Sequence, residues 1–294
     1  MKSKFLLIAT FLCGFSAFSQ EKITLYPNGV QNSKPSSVTE SGAERGLYKG
    51  IIHPTLEYIK PEKPNGTAVV VIAGGGYGVI VYNGEGLGTA KSLAEKGISA
   101  FVLKYRLPSD EIMQDKKIGP LQDVQQSIKY LRENAEKYGI DKNKIGVMGF
   151  SAGGHLASTA ATHFEKSYIE NPQNTNLRPD FQILVYPVIT MQDALTHGGS
   201  RDALIGKTPS QEDKDLFSNE LQVKANTPIT WLTHAADDKV VDVDNSIHYF
   251  EKLRKNKVEV EMHVFPKGDH GFIFRQKGWM NPLFDWMERN NLIK

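Results

Sequence analysis

The chain has 294 residues, 40% hydrophobic and 23% charged, an ordinary globular balance that excludes disorder, collagen and a coiled coil, and its length suits one large α/β domain or two small ones. Lys and Arg number 35 against 33 Asp and Glu, so no basic field exists for nucleic acid or an anionic surface. The single cysteine, Cys13, can form no intrachain disulfide, zinc cluster or redox pair.

Residues 1–19 begin with Lys2 and Lys4, continue through an apolar run at 5–13 and end in Ala17-Phe18-Ser19. A positive start, an apolar centre and small residues at the end form the pattern of a secretory signal peptide, cut before Gln20. The run is shorter than the ~20 apolar residues that a bilayer span needs. Leu12 ahead of Cys13 is too large for a lipid-anchored cysteine. The expected location is therefore periplasmic or secreted, with no membrane span. Loss of this segment, with its two lysines and no acids, leaves a formally neutral, cysteine-free chain.

Residues 20–66 are rich in Pro, Asn, Ser and Gly, with an alternating stretch at 51–59. They are expected to form an N-terminal arm holding two antiparallel strands, closed by the turn Pro61-Glu62-Lys63-Pro64-Asn65-Gly66. Residues 67–294 form the expected catalytic domain. Its first segment, AVVVIA at 68–73, is a β-branched run of the kind found in strands buried on both faces. Residues 98–105, 145–150, 181–186, 229–233 and 258–265 have the same character. Between them, segments 87–96, 121–138, 152–163, 243–255 and 279–289 place apolar residues at helical spacing. Strands alternating with helices predict an α/β class and a mostly parallel central sheet with helices on both faces. Residues 190–226 break the alternation with a polar excursion, a position suited to substrate-facing structure.

Gly149-Phe150-Ser151-Ala152-Gly153 matches G-x-S-x-G at a junction from strand to helix. There the pattern acts as a nucleophile elbow: small flanking residues permit a tight turn that lifts Ser151 above the sheet. The same turn aims the Ala152 amide and the positive end of the helix at a reacting oxygen. A serine of ordinary pKa needs a base. Of eight histidines, His53, His163, His197, His234, His248 and His263 have ordinary places in arm, helix, excursion or strand. His155 lies one helical turn beyond Ser151 and is expected to pack. His270, in Lys267-Gly268-Asp269-His270-Gly271-Phe272, follows the last strand at the carboxyl edge of the sheet, where active sites gather. It is the expected base.

An acid must orient that imidazole, and the order Ser, acid, His places it between 152 and 269. The segment His234-Ala235-Ala236-Asp237-Asp238-Lys239-Val240-Val241-Asp242 offers two adjacent candidates, Asp237 and Asp238, only one of which can face His270. Finally, Ala73-Gly74-Gly75-Gly76-Tyr77 follows the first buried strand. Three glycines allow backbone N–H groups to face an oxyanion, as in the lipase HGGG loop, with Ala73 in place of its histidine. Tyr77, directly after this loop, is expected to lie beside the oxyanion position and narrow the acyl side of the cleft.

The set GGGY, GFSAGGHLA, HAADDKVV and GDHGF resembles the α/β-hydrolase superfamily, and most of all the secreted bacterial carbohydrate esterases of acetyl xylan and feruloyl type. The resemblance runs from Val69 to the C-terminus with the motifs in family order. It implies a serine carboxylic-ester hydrolase that needs no metal or organic cofactor and acts on acylated oligosaccharides or other small esters. In that family the acid stands four residues after the strand-end histidine, which favours Asp238 over Asp237. Ser151, Asp238 and His270 are then the implied triad, with Gly75, Gly76 and Ala152 as the oxyanion hole. Ala235 replaces a common family glycine. Segments 101–107 and 196–201 also match the family's flanking segments. A short acyl group, acetyl first, is the expected substrate. The alternatives are a feruloyl esterase, a lipase, a prolyl-oligopeptidase-like peptidase and a non-catalytic binding member. The excursion shows no long apolar lid of lipase type, and the chain leaves no room for the large gating domain of such peptidases. A binding member tends to lose the serine or histidine.

Overall fold

The computed structural model describes residues 20–294; the signal peptide expected at 1–19 lies outside the described residues. Ten strands appear in chain order: β1 (Gln20–Thr24), β2 (Leu47–Tyr48), β3 (Thr55–Ile59), β4 (Ala68–Ile72), β5 (Ile80–Val81), β6 (Ser99–Lys104), β7 (Ile145–Phe150), β8 (Phe181–Val185), β9 (Ile229–Ala235) and β10 (Val260–Phe265). Eight of them form one sheet in the order β1-β3-β6-β4-β7-β8-β9-β10, and β2 and β5 form a separate antiparallel pair. The run from β6 to β10 is parallel throughout, as the alternation of strands and helices requires.

Every residue of β4, β6, β7 and β8 is buried. This explains why their sequences are continuous apolar runs rather than alternating ones: both faces of these strands are covered. Strand β10 departs from that pattern, since it closes the sheet as an edge strand and its residues are partly buried or, at Val264, exposed. The segment expected as an arm joins the same sheet: β1 pairs antiparallel with β3, and β3 antiparallel with β6.

The helices are α1 (Thr89–Glu95), α2 (Gly119–Glu133), α3 (Ala135–Tyr138), α4 (Ser151–Thr162), α5 (Gly198–Ile205), α6 (Gln211–Phe217), α7 (Asp244–Lys255) and α8 (Asn281–Arg289). Helix α1 packs on β6, α4 on β7 and β8, and α7 on β9 and β10. The helix expected over 121–138 is divided at Asn134, whose φ of −113° and ψ of 21° leave the helical region. The one expected from 87 begins instead as a π-helical turn, Tyr82–Gly88. The polar excursion carries α5 and α6. Segment 101–107 is structural: Arg106 forms a buried ion pair of 2.7 Å with Asp123, and the Tyr105 hydroxyl donates to the Ala73 carbonyl at 2.9 Å.

Because β4 lies between β6 and β7, the strand order reverses there, and loops leave the carboxyl ends of neighbouring strands on diverging paths. The glycine loop follows β4, the elbow follows β7, the HAADD segment runs from the end of β9 into the loop beyond it and the GDHGF segment follows β10. All four sequence motifs therefore meet at one edge of the sheet.

Candidate active site

Ser151 occupies the first position of α4 with φ of 51°, a left-handed conformation costly for a residue with a Cβ. Close packing imposes it. A Cβ on Gly153 would lie 2.3 Å from the Ile72 carbonyl oxygen, and one on Gly149 would lie 2.2 Å from the Gly153 oxygen. The two glycines of the motif thus let the elbow press against β4, and the turn raises the serine hydroxyl toward the loops.

The Ser151 Oγ stands 2.9 Å from His270 Nε2, and His270 Nδ1 stands 2.7 Å from Asp238 Oδ2. An ionised carboxylate only accepts, so Nδ1 carries the proton and donates. Nε2 is left with a lone pair to receive the serine proton. The other Asp238 oxygen accepts from the Val240 and Val241 amides, both at 2.9 Å. Burial pushes the Asp238 carboxyl up, but hydrogen bonds from His234, His270 and the Val241 amide outweigh it and hold the group well below the usual carboxylate range. Asp238 therefore stays ionised although its side chain is fully buried.

The neighbouring aspartate faces elsewhere. Asp237 is exposed, and its Oδ1 accepts from the Asp269 amide at 2.8 Å. Asp269 Oδ1 in turn accepts from the amides of Lys239 at 3.0 Å and His270 at 2.9 Å. These exchanges lace the loop after β9 to the loop after β10, so Asp237 braces the turn that presents Asp238.

His234, given an ordinary strand position above, lies directly behind the acid. Its Nε2 donates to the Val241 carbonyl at 2.9 Å and reaches Asp238 Oδ2 at 3.2 Å, while Nδ1 lies 2.8 Å from Ser246 Oγ. The ring of Tyr186 backs His270, with centroids 4.7 Å apart.

The glycine loop curls with φ of 125° at Gly75 and 63° at Gly76, and a Cβ on Gly75 would lie 2.0 Å from the Val79 oxygen. Among the described residues neither the Gly75 nor the Gly76 amide has a hydrogen-bond partner. The Ala152 amide, in the first turn of α4, has no intrahelical carbonyl to meet. These are the three donors named from the sequence.

Tyr77 does not flank the cleft as expected. It is buried, and its hydroxyl lies 2.8 Å from Nδ1 of His155. Its φ of 60° turns the ring inward, where the phenol finds a partner beneath the loop. His155 packs, as expected, with Nε2 donating to the Phe217 carbonyl at 2.8 Å. His197, by contrast, faces the site. Nδ1 accepts from the Ser200 amide at 3.2 Å, so Nε2 carries the proton, and among the described residues it has no partner. The Cε1 of His197 would be 3.9 Å from a Cβ on Gly76. Burial lowers the His197 pKa, and the charge of His270 lowers it further against the opposing pull of Asp238. The excursion thus delivers a neutral imidazole edge beside the glycine loop. A histidine three residues before a serine in a polar loop gave only a weak signal for this capped geometry.

A family model described as BD-FAE matches residues 57–253, a span that holds the glycine loop, the elbow and the HAADD segment. The chain belongs to the BD-FAE family. This BD-FAE chain is 37% identical over 224 residues to endo-1,4-beta-xylanase B of Butyrivibrio fibrisolvens, covering 76% of the chain and 35% of that protein. It is 37% identical over 218 residues to an acetylxylan esterase of Xylanibacter ruminicola, covering 73% of the chain and 42% of that protein. The chain therefore spans less than half the length of either relative. Among solved structures, the acetyl ester-xyloside bifunctional hydrolase of Caldicellulosiruptor lactoaceticus superposes with a TM-score of 0.76 at 32% identity, over 93% of this chain and 97% of that one. The α/β-hydrolase fold and the family resemblance expected from the motifs are borne out.

Proposed function

We propose that this chain is a serine carboxylic-ester hydrolase that removes short acyl groups, acetyl first, from carbohydrate esters. The observation that carries the proposal is the continuous line Asp238–His270–Ser151, with spacings of 2.7 and 2.9 Å, at the sheet edge that also carries the glycine loop. Ser151 Oγ attacks the ester carbonyl carbon as its proton passes to His270 Nε2. The carbonyl π-electrons move onto oxygen, and the amides of Gly75, Gly76 and Ala152 receive that oxyanion. Collapse breaks the bond to the alkoxy oxygen, which takes the proton from Nε2 and leaves as the alcohol. Water then attacks the acyl-enzyme with the same proton route, releasing the acid and restoring Ser151. Asp238 keeps the proton on Nδ1 and stabilises the imidazolium formed in each step. No step requires a metal or organic cofactor.

The acetyl preference is supported by the two relatives named for acetyl esters and by the polar excursion, whose His197 edge offers a donor to a sugar hydroxyl but little apolar area for a fatty chain. The substrate experiment is an acyl series on activated esters from acetate to octanoate, followed by release of acetate or ferulate from matched sugars. Rates should fall steeply beyond about four carbons, since a methylene that does not fit meets steric rejection. Rates rising toward octanoate would mark a lipase, and ferulate released faster than acetate would mark a feruloyl esterase. Export follows from the segment 1–19, and a secreted product whose N-terminus is not Gln20 would refute that cleavage site.

A further inference from the structure

Glu85 is a buried acid that the steps above do not use. It lies in the π-helical turn Tyr82–Gly88, a form that recurs at functional sites, and only 6% of it is exposed. Its two oxygens hold two separate parts of the site. Oε2 accepts from the Gly74 amide at 2.6 Å, shorter than a neutral amide bond and in keeping with a charged acceptor. Oε1 accepts from the Tyr186 hydroxyl at 3.0 Å.

Both partners touch the proposed machinery. Gly74 precedes the two glycines with open amides, and it lies so close to the elbow that a Cβ there would be 2.9 Å from Ser151 Cβ. Tyr186 backs the His270 ring and holds a φ of 37°, a conformation that survives only when its surroundings over-determine it. Burial raises the Glu85 pKa, while the bonds from Gly74 and Tyr186 and the charge of His270 act in the other direction. A carboxylate placed here at such desolvation cost must be returned something by its two donors.

We propose that Glu85 is a positioning residue for the esterase reaction: it holds the Gly74 amide inward so that those of Gly75 and Gly76 face Ser151, and it holds Tyr186 against His270. The proposal rests on the serine-esterase reading above. Its content is geometric, so reach matters and charge does not. Glu85→Gln keeps a carbonyl for Gly74 and an amide for the Tyr186 oxygen. Glu85→Asp keeps the charge but is one methylene too short to reach both.

The test measures kcat and KM for 4-nitrophenyl acetate with both variants, alongside thermal unfolding. Glu85→Gln should retain kcat within about threefold of wild type, and Glu85→Asp should lose about 10²-fold in kcat with KM changed less than about threefold, the size of losing one oxyanion donor. An Asp variant with unimpaired kcat, a Gln variant as slow as the Asp variant, or a loss carried by KM would each overturn the role. If Glu85→Asp does not fold, Tyr186→Phe decides the question: it should lower kcat about tenfold at unchanged KM, and wild-type kcat would overturn the proposal. Labelling of Ser151 by a fluorophosphonate, read by mass spectrometry, separates the two levels. An unlabelled Ser151 in wild type overturns the esterase reading together with this role, whereas a labelled wild type with an unimpaired Asp variant overturns the role alone.

Discussion

The hydroxyl of Tyr77 lies 2.8 Å from Nδ1 of His155, a bond that spans 78 residues and ties the glycine loop to the elbow helix. The second ring nitrogen meets the Phe217 carbonyl at 2.8 Å, which fixes the tautomer: Nε2 donates, and Nδ1 accepts from the phenol. One neutral imidazole thus joins the loop after β4, helix α4 and the end of α6. A group with this many attachments beneath the site should show itself in stability before it shows itself in chemistry.

Removing the phenol leaves His155 Nδ1 buried without a donor. Tyr77→Phe should therefore destabilise the protein by about 1–3 kcal/mol, seen as a lower urea midpoint at unchanged m-value. A midpoint equal to wild type would mean that the bond contributes nothing net.

The same imidazole predicts a pH dependence. Burial lowers the His155 pKa from 6.5 to about 4. Between these values the unfolded chain binds the proton and the folded one does not, so stability is complete above about pH 6.5 and falls as pH drops toward 4, by about 3 kcal/mol over the window. Glu or Asp protonation adds its own slope there, so the comparison is with His155→Gln, whose amide nitrogen can still donate to Phe217. Denaturant titrations from pH 7 to 4 should give a flatter curve for this variant; parallel curves would exclude the effect.

Ser151→Ala should remove ester hydrolysis, with turnover down on the order of 10⁴–10⁶ and the fold intact. More than a tenth of wild-type activity in pure protein would disprove the nucleophile. Ser151→Gly should be equally inactive yet more stable than the alanine variant by about 1 kcal/mol, because glycine occupies a left-handed φ without the Cβ penalty. Equal melting temperatures for the two would show that the elbow stores no backbone strain.

Asp238→Asn should lower turnover by about 10⁴ through a misplaced imidazole proton. Asp237→Asn retains the oxygen that receives the Asp269 amide, and its activity should change less than tenfold. The reverse ranking in a steady-state assay would transfer the acid role to Asp237.

The sequence by itself determined the parallel strands of the central sheet, the motifs and their order, but not the short strands β2 and β5. Strands buried on both faces must be continuous apolar runs, so residues 68–73 and 145–150 announced β4 and β7. A turn as tight as the elbow admits only small flanking residues, so Gly149 and Gly153 marked Ser151. Choosing between Asp237 and Asp238 needed family spacing, because two adjacent acids in a turn have no periodicity to separate them. Only the folded chain shows Asp238 turned to His270 and Asp237 turned to the Asp269 amide.

Glu85, Tyr186, His197 and the inward turn of Tyr77 were beyond sequence reading. Glu85, Tyr186 and Tyr77 act through partners far along the chain: Glu85 meets Tyr186 across 101 residues, and Tyr77 meets His155 across 78. Local pattern reports which residues must be buried or must turn, since burial and backbone sterics act at each position with a fixed period. It carries no record of which buried polar groups meet, because that depends on the strand order β6-β4-β7-β8 and on how the loops at its carboxyl edge close over one another.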